Sequence, residues 1–277
     1  MQNFNYHQHT YRCKHADLDV QDEEYILEYI KMGFKKIAFT DHCPQKSKVD
    51  KRPHMRMDYE QKDEYISSIK TLKNKYSYII QIETGYEVEY LPGEEENLEQ
   101  LKQETDKIIL GQHLVYDNNK NLKKVGLEEI TEEETVRHAE YIKRALELNI
   151  PDIIAHPDLF MAKADFFGDA ERLASNIICE SAEKYSIPLE ININDIFKKV
   201  YYENNKINNL PLEEQRKRLP KVKYPCKQFW EIASNYSIQV LYGIDVHHRG
   251  QILLFNKLVH FARDILGDDI INKLRFI

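Results

Sequence analysis

Apolar and polar positions run along the chain in two alternating rhythms. Short apolar runs at 4–7, 36–40, 78–86, 107–110, 152–155, 189–193 and 238–242 have the length and composition of buried strands. Between them lie longer stretches with apolar residues at helical spacing, over 22–32, 59–73, 95–104, 132–148, 169–185 and 229–235. Two closing helices are expected over 251–266 and 269–274. The punctuation agrees: Gly33 stops the first helix, Pro151 the fourth, and Pro188 precedes the sixth strand. Strand–helix alternation predicts parallel strands joined by right-handed crossovers, here about seven β/α units. The chain therefore reads as an α/β protein, and no repeat or linker divides residues 1–277 into separate domains. One stretch breaks the rhythm. Residues 203–224 are charged, Asn-rich and bracketed by prolines, which suits a surface insertion or, alternatively, a lid over a site.

Composition narrows the class. An apolar content of 42% and a charged content of 31% fit a soluble globular protein. The net charge of -7 disfavours nucleic acid as a partner, because such binding depends on Lys and Arg neutralising phosphates. Cys13, Cys43, Cys179 and Cys226 form no C-x-x-C pair. No leader and no apolar run near eighteen residues is apparent, so a reduced, cytoplasmic setting without membrane attachment is expected.

The candidate chemistry falls at strand ends. His7 and His9 share a face if residues 4–9 are extended, since side chains repeat every second residue. His15 follows in the next loop, and His42, Glu87, His113, His156, Asp245 and His247 all sit at or just beyond the C-terminal end of a predicted strand. In a β/α barrel that end carries the active site. Seven imidazoles and two carboxylates, with one carboxylate shared, supply about ten bonds, enough for two or three divalent ions. Such donors without thiolate suit Zn, Mn or Fe better than Mg or Ca. Closely spaced ions of this kind assist displacement at phosphorus. Glu83, Glu87 and Glu89 share one parity, but Glu83 would lie roughly 13 Å deeper along the strand, so Glu87 is the better donor. Cys13 and Cys43 read as small packing residues, and Asp41 as a carboxylate supporting a ligand. His54, His138, His248 and His260 read as surface residues, with His248 close enough to reach a substrate phosphate.

These residues also carry a resemblance. The run His7-Gln8-His9-Thr10-Tyr11-Arg12-Cys13-Lys14-His15 is similar to the H-x-H-T-x-x-x-C-x-H opening of polymerase-and-histidinol-phosphatase (PHP) domains. Thr40-Asp41-His42-Cys43-Pro44, Gly85-Tyr86-Glu87-Val88-Glu89-Tyr90, Gly111-Gln112-His113, Ala155-His156-Pro157 and Gly243-Ile244-Asp245-Val246-His247 follow in the order of the later motifs. Within that superfamily the chain most resembles bacterial histidinol-phosphate phosphatases. The resemblance implies a distorted, TIM-like (β/α)7 barrel with a trinuclear centre at the C-terminal ends of its strands. His7, His9, Glu87 and Asp245 would hold the first ion. Glu87 would bridge to a second, completed by His113 and His156, and His15, His42 and His247 would hold the third. Glu87, Asp245 and His247 would be the catalytic residues.

The activity implied is hydrolysis of L-histidinol phosphate, a step of histidine biosynthesis, by attack of a metal-bridged hydroxide on phosphorus. One departure bears on the substrate. Phe197 stands in Asn192-Ile193-Asn194-Asp195-Ile196-Phe197-Lys198, where the family commonly places an Arg suited to clamp phosphate. Lys198 could replace it as a point charge, and Lys163, Arg12 and Arg249 are further candidates. The alternatives are a PHP phosphoesterase acting on another small phosphorylated metabolite or nucleotide, and a non-catalytic metal-stabilised PHP module. Nothing in the sequence fixes the oligomeric state.

Overall fold

A computed structural model describes residues 2–45, 52, 54–203, 206–207 and 210–277. In chain order the elements begin β1 (Phe4–Asn5), α1 (Asp22–Lys31), β2 (Lys36–His42), α2 (Lys62–Lys75), β3 (Gln81–Val88), α3 (Glu95–Glu104) and β4 (Lys107–Leu110). A hairpin of β5 (Leu114–Tyr116) and β6 (Leu122–Lys124) precedes α4 (Glu132–Glu147), β7 (Ile153–Ile154), α5 (Asp169–Tyr185) and β8 (Leu189–Asn192). A short α6 (Asn194–Ile196) runs into a π turn, Phe197–Tyr201, followed by β9 (Tyr202–Glu203), β10 (Lys206–Ile207) and α7 (Leu212–Arg218). The chain closes with α8 (Lys227–Ala233), β11 (Gln239–Gly243), α9 (Gly250–Leu266), α10 (Asp268–Ile271) and β12 (Arg275–Phe276).

The main sheet has the order β1-β2-β3-β4-β7-β8-β11-β12, with every pairing parallel. This is the expected α/β architecture, a curled TIM-like sheet surrounded by helices. It has one strand more than the seven predicted. β12 is only two residues long, too short to leave a periodic signal, and pairs with the lower half of β11. At the opposite end of β11 the chain returns to its start: His9 N–H donates to Val246 O at 3.0 Å, and Val246 N–H to His7 O at 3.2 Å. The first and seventh predicted strands thus meet at the mouth.

Strand alternation sorts the core into two layers. In β4, Ile108 and Leu110 face the helices, whereas Ile109 points inward to meet Ile153, Ala155 and Leu241, with Phe4 and Tyr6 packed below. That inner layer is a dry plug, and the polar cluster lies above it. Local chemistry fixes the helix ends. Thr131 and Glu134 form a reciprocal capping box at the start of α4, and Gly33, at φ +82°, takes the left-handed turn after α1.

Two predicted elements shift. The strand expected at 78–86 runs over Gln81–Val88, because the chain turns at 76–79 and leaves Tyr78 fully exposed. The predicted helix at 59–73 begins as a 3-10 turn and becomes α-helical only at Lys62. The β5–β6 hairpin and the helical turn after β8 were not anticipated, since each segment is too short for periodicity to mark it. The 203–224 stretch falls partly outside the described residues. Its described part contains α7, with Glu213, Glu214 and Lys217 on the surface.

Candidate metal centre

All nine predicted donors converge at the C-terminal mouth, and Glu87 is their hub. Its carboxylate lies 2.9 Å from His42 Nδ1 and His156 Nε2, 3.4 Å from His7 Nε2, 3.5 Å from His9 Nε2 and 3.6 Å from His113 Nε2. Asp245 Oδ1 stands 3.1 Å from His9 Nε2, 3.2 Å from His247 Nδ1 and 3.4 Å from His7 Nε2. His15 joins through His247, their Nε2 atoms 3.0 Å apart. Glu83 is elsewhere, paired with Lys36 at 2.7 Å near the base of the sheet.

The donor set fits ions better than it fits hydrogen bonds. His7 Nε2 and His9 Nε2 face each other at 3.1 Å, as do the Nε2 atoms of His15 and His247. Glu87 Oε2 and His42 Nδ1 are buried and, although 2.9 Å apart, are not aligned for a hydrogen bond with each other or any other group. The donor atoms form overlapping groups, including His7–His9–Asp245, His7–Glu87–His156 and His9–His42–His247. Cys13 Sγ also falls within reach of His15 and His247, but burial holds its thiol well above the usual range and therefore protonated. Two of the donors sit on unusual backbone. His156 and Asp245 have φ of 29° and 53°, a region that costs a side-chain-bearing residue about 1–3 kcal/mol.

Outer carboxylates aim the rings. Glu190 approaches His7 Nδ1 at 3.0 and 3.1 Å, so that nitrogen donates and Nε2 is left to face the centre. Asp41 supports His9 Nδ1 at 3.4 Å and also accepts from the Thr10 hydroxyl, the role expected of it. Glu89 reaches His113 Nδ1 at 3.3 Å while paired with Arg56. Asn194 Nδ2 donates to Asp245 at 2.8 Å. Glu190 was missed by sequence reasoning. Its signal was a lone carboxylate inside the apolar run Leu189–Asn192, where a charge is costly unless paired.

Electrostatics divides the imidazoles. Burial opposes the protonation of His7, but Glu190, Asp245 and Glu87 outweigh it and raise its pKa well above the ordinary value. The same contest, with Asp245 and Asp41 the leading partners, lifts His9 to about 9. Burial and cationic neighbours push His15 down to about 3 and His247 to about 4, and burial also lowers His42 and His113. The metal-free site therefore holds protons on His7 and His9 that an ion must displace. Ion affinity is expected to rise with pH up to about 9, where His9 loses its proton unaided. Calorimetric titration in two buffers of different ionisation enthalpy should show proton release at pH 7. Proton-neutral binding would contradict this.

A cavity of about 450 Å3 opens over the centre, lined by His15, His42, His113, His156, Asp245 and His247 and by Lys124, Lys163, Lys198, Lys199, Asp195 and Tyr224. Lys198 and Lys163 thus stand where a substrate could meet them. Arg12 and Arg249 do not line this cavity, which corrects their expected place. The Arg12 guanidinium is buried against Asp22 at 2.9 Å and Glu64 at 2.8 Å, and Arg249 pairs with Glu24 at 2.7 Å. Phe197 is fully buried, packed against Tyr202 and His248. His138, expected at the surface, is buried with Nε2 2.8 Å from Gln112 O. His248 is held by Asp17 at 2.6 Å. No helix among the described residues is long and apolar enough to cross a membrane.

Comparison with known proteins agrees with this architecture. Residues 5–194 match the PHP domain model, and the chain belongs to the PHP domain family. It is 36% identical over 94 residues to the histidinol-phosphatase of Bacillus subtilis, covering 33% of this chain and 35% of that protein. The chain thus aligns with about a third of the length of that curated relative. Among solved structures it resembles the candidate histidinol phosphatase HisK of Listeria monocytogenes, with a TM-score of 0.72, 21% identity and coverage of 90% and 97% of the two chains. It also resembles the histidinol phosphate phosphatase of Lactococcus lactis, solved with Zn, L-histidinol and phosphate, with a TM-score of 0.63, 17% identity and 94% coverage of each chain. At these identities the structural likeness is one of fold.

Proposed function

We propose that this chain is a metal-dependent phosphomonoesterase, with L-histidinol phosphate as its substrate. The observation that carries the reading is the gathering of nine donors, eight of them buried or half-buried and five of them imidazoles within 3.6 Å of Glu87, beneath a lysine-lined cavity. His7, His9, Glu87 and Asp245 would hold one ion, Glu87, His113 and His156 a second, and His15, His42 and His247 a third. Bound there, Zn, Mn or Fe would polarise the phosphoryl oxygens and neutralise charge developing on the leaving oxygen. The chain itself supplies position and charge. Glu190, Asp41 and Glu89 hold the imidazoles in the orientation that presents their inner nitrogens. Lys198, on the π turn after β8, offers its ammonium to the phosphate from the cavity wall. Tyr224 lines the same wall with its hydroxyl kept protonated by burial, so it can donate but not carry charge.

One feature favours a second substrate. Four lysines and Asp195 line the cavity outside the donor cluster, a balance that suits a more anionic metabolite than a cationic amino alcohol. The test is a panel of L-histidinol phosphate, p-nitrophenyl phosphate and its bis-ester, with ions counted by elemental analysis. Histidinol phosphate is expected to be the best substrate and the diester the worst, on a protein carrying two or three ions. Equal rates on histidinol phosphate and p-nitrophenyl phosphate would remove the substrate assignment. Less than one ion per chain, with none regained on incubation with Zn, Mn or Fe, would remove the mechanism.

A further inference from the structure

Lys124 occupies a position that neither the family motifs nor the donor cluster accounts for. It ends β6, the strand whose pairing with β5 sets Leu114 opposite Lys124. Val125 N–H then donates to His113 O at 2.7 Å, so the hairpin is tied to the backbone of a donor residue. The same end is fixed a second time, since Glu128 accepts from the Lys124 N–H at 2.9 Å. Alternation along β6 sends the two adjacent lysines to opposite sides. Lys123 turns outward to Glu134 at 3.0 Å, whereas Lys124 turns inward and is 8% exposed. Its Nζ rests 3.2 Å from Met55 Sδ, and both residues line the cavity over the centre.

We propose that Lys124 is a substrate-binding residue whose ammonium contacts the phosphoryl oxygens of a phosphate monoester seated over the donor cluster. The inference rests on the phosphomonoesterase reading and assigns part of its phosphate recognition. Its strongest support is Phe197. With that side chain buried away from the cavity, the turn after β8 presents Lys198 but no arginine fork. A phosphate dianion held by single-point donors needs more than one of them, because each ammonium contributes one direction where a guanidinium contributes two. Lys124 supplies a second direction from a different element. Lys124 and Lys198 line one cavity with His15 and His247, whose Nε2 atoms lie 3.0 Å apart. A rigid hairpin is also a better platform than a mobile loop, since the stem is ordered before the anion arrives.

The test is binding of inorganic phosphate to the metal-loaded protein, measured by calorimetry alongside ion content and melting temperature. Lys124→Met keeps the stem and removes the charge, and Lys124→Gln is a second neutral variant should the first fold poorly. Both are expected to weaken phosphate binding about 10- to 100-fold, the range for a lost charge-assisted hydrogen bond, with ion content unchanged. Lys123→Met, on the outer face, should bind phosphate as the parent does. Phosphate affinity within twofold of the parent in both neutral variants would overturn the proposal, as would loss of ions from both, which would make Lys124 a structural support for His113. A parent protein that hydrolyses phosphomonoesters while the variants bind phosphate normally would confine the failure to Lys124. A parent that neither binds phosphate nor hydrolyses any phosphomonoester would overturn the functional reading as well.

Discussion

Replacing Glu87 by glutamine is expected to lower phosphomonoesterase activity by about 10³-fold, on the scale of losing a pre-organised electrostatic group, and to reduce the number of bound ions. The carboxylate sits within 3.6 Å of five imidazoles. An amide of the same shape removes its charge and turns an N–H2 group toward nitrogens that must present lone pairs. The metal-free protein should change too. Glu87 helps keep His7 and His9 protonated, so Glu87→Gln should lower both pKa values and lessen proton release on ion binding. Glu83→Gln provides the contrast. Glu83 pairs with Lys36 below the inner apolar layer, and its loss should leave activity within a few-fold of the parent. The neighbouring backbone makes the same point, for a Cβ added at Gly111 would overlap the Glu87 carboxylate. Equal losses in the two variants, with folding intact, would show that the wrong carboxylate has been placed at the hub.

What could be read from the sequence followed from period and position. Strands end where β/α units end, and polar residues at those ends must share the mouth of the barrel. That is why His42 and Glu87, which the structure sets in register on adjacent strands, could each be placed at the mouth without a structure. The outward partners were harder. Glu190 meets His7 across 183 residues of sequence, and no local pattern says which strand lies beside which. Arg12 shows the converse problem. It lies between two donors in sequence, yet the 3-10 turn Tyr11–Cys13 swings it outward to Asp22 and Glu64, because loop residues carry no fixed periodicity. His138 was misplaced for a different reason. A histidine on an amphipathic helix looks solvated until a free backbone carbonyl, here that of Gln112, is found waiting for it.

The second large effect is expected at Gly243, which is not itself a donor. A Cβ there would overlap the Glu190 carboxyl group, so Gly243→Ala must displace Glu190 from His7. Glu190 has little room to retreat, being buried, bonded to His7 and accepting from Asn192 Nδ2 at 2.6 Å. Once it moves, His7 loses the partner that fixes its Nδ1 as the donor. Ion affinity should then fall about 10- to 100-fold, the usual consequence of losing an outer carboxylate. Glu190→Ala should do the same directly, whereas Glu190→Gln, which can still accept from Nδ1–H, should be milder. The double variant decides the mechanism. If Gly243 acts only by making room for Glu190, adding Gly243→Ala to Glu190→Ala should weaken ion binding no further, because the group it displaces is already gone. Additive losses would instead mean that the methyl group damages the mouth through some other contact, and the pairing of this glycine with this carboxylate would have to be abandoned.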